Sequence, residues 1–167
     1  MTFKEFVETI IGDIDEDISD MVLVKKIKGY VNRGYKELAK RESLEKKITT
    51  EIVDGLINIP SNAVKVYEVL SNGIPLGFTT QGKKVICNGS GEVDVIISYI
   101  PDLMEIDDDE PVTNISNEEF IISYAKWLYF LSDDQVELAK LYKEEYESFG
   151  ITSKGKIQQI TDVYGVI

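Results

Sequence analysis

The sequence contains no histidine and only one cysteine, Cys87, among its 167 residues. Without imidazole there is no histidine-based acid, base or nucleophile relay. Zinc and copper sites lose the ligands they depend on. A lone cysteine cannot close an intramolecular disulfide, so nothing in the fold depends on an oxidising compartment. No apolar run approaches the roughly 18 residues needed to span a bilayer. The start of the chain, "MTFKEFVETIIGDIDED", has neither a basic flank nor a small-residue cleavage site, so the expectation is a soluble protein made in the cytoplasm and not exported by a signal peptide. Bases are also scarce. Against 30 acids stand 18 lysines and arginines, a formal net charge of −12, and such a surface is repelled by nucleic-acid phosphates unless a local patch intervenes.

The acids do not compose a metal loop. A calcium loop of the EF-hand type needs glycine at its sixth position and glutamate at its twelfth. Begun at Asp107, those positions are Val112 and Glu118; begun at Asp13, they are Ile18 and Val24. Thirty acids guarantee accidental carboxylate pairs, and none is singled out as a glycosidase pair would be. "NGSGEVD" (88–94) has two glycines but no P-loop lysine, and it precedes a strand, so it reads as a hairpin turn. No catalytic residue, cofactor or metal site is assigned, and the protein reads as a non-enzyme. "EIDDDEP" (105–111) reads as a solvated hinge from sheet to helix, held extended by Pro111.

Apolar residues at 43% and nine tyrosines support a folded core. Phe3, Phe6, Val7, Ile10 and Ile11 form a helical stripe, ended by Gly12 and Asp13. A second helix runs from about Asp20 to Glu42 on Leu23, Ile27, Tyr30 or Val31, Gly34 and Leu38. Gly34 in mid-helix predicts a second backbone passing close by. From Ile48 the texture turns to short β-prone runs. Asp54-Gly55 is a hairpin signal, and turns at 71–73, 81–83 and 88–91 divide about six strands up to residue 100. Val93, Val95, Ile97 and Tyr99 share one strand face. Ser116 with Glu119 forms a capping box for a helix carried by Phe120, Ile121, Tyr124, Ala125, Leu128 and Leu131. A second box, Ser132 with Gln135, opens a helix on Val136, Ala139, Tyr142, Tyr146 and Phe149, ended by Gly150.

These signals predict an α+β chain, mainly α, with a four-helix core and an antiparallel β-module inserted between the two helical pairs. The predicted parts are N-terminal helices over 1–47, the β-module over 48–104, the acidic hinge and C-terminal helix pair over 105–150, and an extension over 151–167. Tyr30, Tyr35 and Trp127 read as core or as interface. Between Lys25 and Lys47 nine bases meet three acids. That stretch is a wet helix face, a phosphate-contacting helix, or a surface for the acidic flank of a neighbouring copy.

The order of elements, from "IKGYVNRGYKELAKR" through "INIPSNAVKVYEV", "VIISYIP" and "DDDEPVTNIS" to "EEFIISYAKWLYFLSDDQVELAKLYKEEYESF", resembles the head-to-tail connector (adaptor) proteins of tailed bacteriophages over about residues 20–150. The resemblance implies a virion structural protein at the head-tail junction, made in the host bacterial cytoplasm. It implies a ring, typically of twelve copies, beneath the portal protein. Tail or further connector proteins would be the other partners, with DNA passing through unbound and no membrane involved. The extension would reach the portal through Ile157, Ile160, Val163, Tyr164, Val166 and Ile167. Lys25, Lys28, Arg33, Lys36, Lys40 and Arg41 would be the basic face toward the next subunit. Residues 3–11 depart from the family pattern, as a clamp on a neighbour or an added core helix. The alternative function is a nucleic-acid-binding module using the basic helix 25–47.

Overall fold

Thr2 precedes the first apolar stripe. Its hydroxyl accepts the Glu5 N–H while the Glu5 carboxylate accepts the Thr2 N–H, a reciprocal capping box that opens α1 (Phe3–Asp13). The five stripe residues are all buried, so α1 is a core helix. Asp20 Oδ1 then accepts the N–H groups of Val22 and Leu23 at 2.9 and 3.1 Å, satisfying two orphan donors at the start of α2 (Met21–Glu42). The computed structural model describes residues 1–113 and 117–149. Ser116, Gly150 and the extension 151–167 lie outside them.

The chain divides into two units: Met1–Glu42 with the chain from Asp102 onward, and Ser43–Pro101. In the first, α1 and α2 share an apolar cluster with α3 (Glu118–Ser132) and α4 (Val136–Ser148). Tyr35, Phe6, Phe120, Ile10, Ile11, Ile27 and Leu38 are among its largest fully buried side chains. Gly34 is where α2 meets α3. A Cβ there would lie 3.1 Å from the Ile121 carbonyl oxygen and 3.3 Å from Tyr124 Cβ, as the glycine predicts.

In the second unit, β1 (Glu45–Val53), β2 (Leu56–Ile57), β3 (Ala63–Ser71), β4 (Ile74–Pro75), β5 (Phe78–Gln81), β6 (Lys84–Cys87) and β7 (Gly91–Tyr99) form one antiparallel sheet, in the order β4-β3-β7-β1-β2-β6-β5. Val53 pairs with Leu56 across Asp54 and Gly55, whose φ values are +52° and +76°, the geometry of a two-residue I′ turn. Asn72 and Gly73 repeat it between Ser71 and Ile74, at +51° and +79°. One face buries Ile52, Ile57, Val66, Val69, Val85, Val93, Val95 and Ile97. Two bulges in β3 leave Val64 and Tyr67 exposed.

Several expectations are corrected. The chain is not mainly α: of the described residues 42% are helix and 27% strand, in a seven-stranded half-barrel sheet. The β-content was underestimated because β1 begins at Glu45, inside the charged stretch read as helix, and because β2 and β4 are two-residue strands with no periodicity to detect. "NGSG" is not a hairpin turn. It leads from β6 to β7, which are separated in the sheet by β2 and β1. Ser132 does not cap α4; it ends α3, its hydroxyl donating to the Tyr129 carbonyl at 2.8 Å. Leu131 and Val136, assigned to inner stripes, are 50% and 65% exposed.

Candidate functional site

The polar side of α2 separates into two stripes. Lys28, Asn32 and Tyr35 recur at i, i+4 and i+7, and they fasten the segment 104–112 along the helix. Lys28 Nζ lies 2.6 Å from Asp107 Oδ1. Asn32 donates to the Met104 carbonyl at 2.8 Å and accepts the Met104 N–H at 3.0 Å, and the Tyr35 hydroxyl accepts the Val112 N–H at 2.8 Å. "EIDDDEP" is therefore more than a wet hinge. Asp109 Oδ2 accepts the N–H groups of Glu105 and Ile106, while the carbonyls of Asp109 and Asp107 accept the first N–H groups of α1, from Phe3 at 2.7 Å and Lys4 at 3.0 Å. The Lys28 ammonium, hydrogen-bonded to Asp107, holds that carboxyl below its ordinary value. Among the described residues no group of three or more His, Cys, Asp or Glu is arranged to hold a metal ion.

The second stripe of α2 faces water. Lys25, Arg33, Lys36 and Lys40 are exposed, with Gly29 among them and nothing within 4 Å of where its Cβ would stand. Lys25 and Lys36 have no ion pair among the described residues. Arg33 lies 5.9 Å from the Tyr30 ring centre, and Lys40 is 3.9 Å from Glu37, a loose pair that water screens. The six basic residues singled out from sequence are thus divided. Lys28 is taken by Asp107. Arg41 is taken by Glu37 at 3.3 Å and by the faces of Phe120 and Tyr146, 5.0 and 5.5 Å away. Four remain exposed on one side of α2. The six extension residues, Ile157, Ile160, Val163, Tyr164, Val166 and Ile167, lie outside the described residues.

Charge is unevenly shared between the units. The residues of 1–42 and 102–149 hold 23 of the 30 acids and 11 of the 18 bases, whereas 43–101 hold six acids and five bases. α4 contributes a surface that sequence reading passed over: Glu137, Leu141, Glu144 and Ser148 are exposed on the side away from buried Ala139 and Tyr146. The signal was available as the complement of the apolar stripe, at spacings of four, three and four residues.

The aromatic side chains are mainly core. Tyr35 is buried, and Tyr30 and Trp127 pack partly buried against the cluster. Tyr129 is also buried, with its hydroxyl donating to Glu16 at 2.9 Å. Burial, and then that bond to a carboxylate, raise its pKa to about 12. Comparison with protein families finds no match to this sequence, and comparison with curated proteins finds none either.

Proposed function

We propose that the chain is a structural head-to-tail connector of a tailed bacteriophage, a ring-forming adaptor beneath the portal that joins capsid to tail and lets DNA pass. The observation that carries this reading is electrostatic. A unit whose described residues hold 23 of the 30 acids displays one helix face of exposed cations, Lys25, Arg33, Lys36 and Lys40, of which Lys25 and Lys36 have no ion pair among the described residues. Such a face is complementary to the remainder of the same unit, which suits repeated contact between copies. The acidic surface left over lets a duplex slide without being gripped. In this reading the extension 151–167 engages the portal.

The same cations support a second reading, a phosphate-contacting helix. Electron microscopy of the purified protein mixed with the portal protein of the same genome separates the two. Rings seated on the portal are expected. A protein that stays monomeric with the portal, yet retains duplex DNA at physiological salt and loses it when Arg33, Lys36 and Lys40 become glutamate, refutes the connector reading.

A further inference from the structure

Two exposed helix faces of the helical unit carry complementary groups at the same intervals. On α2 the residues Gly29, Arg33, Lys36 and Lys40 follow one another at steps of four, three and four. On α4 the residues Glu137, Leu141, Glu144 and Ser148 follow the same steps, and all eight are exposed. Steps of four and three keep side chains on one side of a helix, the seam by which helices pack lengthwise. Arg33 and Lys40 on one face, and Glu137 and Glu144 on the other, stand seven residues apart, about 10.5 Å along either axis.

We propose that α2 of one copy lies antiparallel against α4 of a second copy. Arg33 then pairs with Glu144, Lys40 with Glu137, the Lys36 stem covers Leu141, and Gly29 meets Ser148. Leu141 is 57% exposed in the single chain, and a lysine stem is suited to cover such a side chain while keeping its ammonium in water. Gly29 and Ser148 are small enough to let the backbones approach at that end. The parallel alignment is poorer: it opposes Gly29 to Glu137, Arg33 to Leu141 and Lys40 to Ser148, leaving only Lys36 with Glu144. Antiparallel helices also bring opposite ends of their dipoles together. In this register Lys25 projects beyond the end of α4 and takes no part.

A second copy is the occupant that the charges favour. The strip belongs to a unit whose described residues hold more than twice as many acids as bases, so a nucleic acid approaching it meets the repulsion of everything around it, whereas another copy presents acids at the matching interval. The pairing deepens the ring reading and rests on it for the number of copies, since contacts between two different faces propagate until they close.

The test is a charge exchange in the full-length protein, read by sedimentation velocity at low ionic strength, alone and with the portal protein. Arg33→Glu/Lys40→Glu makes both faces acidic, and Glu137→Lys/Glu144→Lys makes both basic. Each double variant is expected to weaken self-association by at least about tenfold, since two exposed ion pairs become two repulsions. An equimolar mixture of the two variants restores complementarity at every contact and is expected to regain the wild-type size. All four positions are exposed, and Trp127 fluorescence checks that each variant keeps the wild-type denaturation midpoint. If either variant assembles as the wild type does, or the mixture fails to assemble, this pairing is overturned while the ring reading stands. A wild type that stays monomeric with and without the portal overturns both.

Discussion

Replacing each of two glycines of α2 by alanine is expected to affect stability differently. In an open helical position Gly→Ala gains about 0.8–1.0 kcal/mol, because alanine loses less backbone freedom on folding. Gly29 is such a position, with nothing within 4 Å of the new methyl group. Gly34 offers the same propensity gain, but its Cβ would stand 3.1 Å from the Ile121 carbonyl oxygen, 3.3 Å from Tyr124 Cβ and 3.4 Å from Ile121 Cα. Two of these are backbone atoms of α3, which can yield only if the two helices separate by a few tenths of an ångström. Overpacking of this kind costs about 1–3 kcal/mol, so Gly34→Ala should be neutral to about 2 kcal/mol destabilising. Gly34→Val should be worse, since valine recovers less propensity and adds two more methyl groups to the contact. Trp127, the sole tryptophan, sits on α3 with its ring 5.1 Å from Tyr124, so its fluorescence in a urea titration reports on the helical unit. With a slope of about 2 kcal/mol/M, a difference of 2 kcal/mol between the two alanine variants separates their midpoints by about 1 M. Equal upward shifts would refute the close approach of α2 and α3.

Three further outcomes are expected. Tyr129 should ionise late, near 12 against an ordinary 10.0. Its contribution to stability is complete below the unfolded value and lost as pH rises from 10 through 12; ultraviolet titration of wild type and Tyr129→Phe checks this, and a step near pH 12 of unchanged amplitude in the variant rules it out. Asp94 has its pKa lowered by hydrogen bonds from Thr49 and then Lys47. Its stabilising effect is present above the ordinary 3.8 and fades as pH falls through the lower folded value, and carboxyl NMR should show the titration returning upward in Thr49→Val. Glu51 and Glu92 face each other across β1 and β7, so Glu51→Lys should raise the unfolding free energy from urea titration by about 0.2–1 kcal/mol, and no change or a loss would refute a repulsion across this pair.

Periodicity made most of the helices legible, and local turn chemistry made the hairpins so. The stripe from Phe3 to Ile11 and the glycine at 34 each correspond to a physical contact: one buried face and one backbone approach. Asp54-Gly55 was readable because a two-residue turn needs two positive φ angles and few residue pairs supply them. Long-range sheet order was not readable. Nothing local in "NGSG" says whether the next strand lies beside β6 or beyond β2 and β1, and β1 starts in a run of lysines whose alternation is masked by charge. The intramolecular partners of two of the six basic residues were hidden for the same reason. Lys28 and Arg41 share the helix and charge of Lys36, and only the folded chain brings Asp107 to the first and Phe120 with Tyr146 to the second.

The acidic run that looks most like a site is held instead by its own chain. Asp107 neutralises Lys28, Asp109 ties its carboxylate to the backbone of Glu105 and Ile106, and the carbonyls of both residues cap α1. Glu105, Asp108 and Glu110 remain exposed and add to a field that repels other copies and nucleic acid alike. Under the proposed pairing, the surface that counts in such a field is the exception to the prevailing charge, because there the approach of an identical acidic partner lowers the electrostatic energy. The exposed strip Arg33, Lys36 and Lys40 is that exception on the helical unit. Removing its charge should therefore change association far more than removing the same number of acids from residues 105–110.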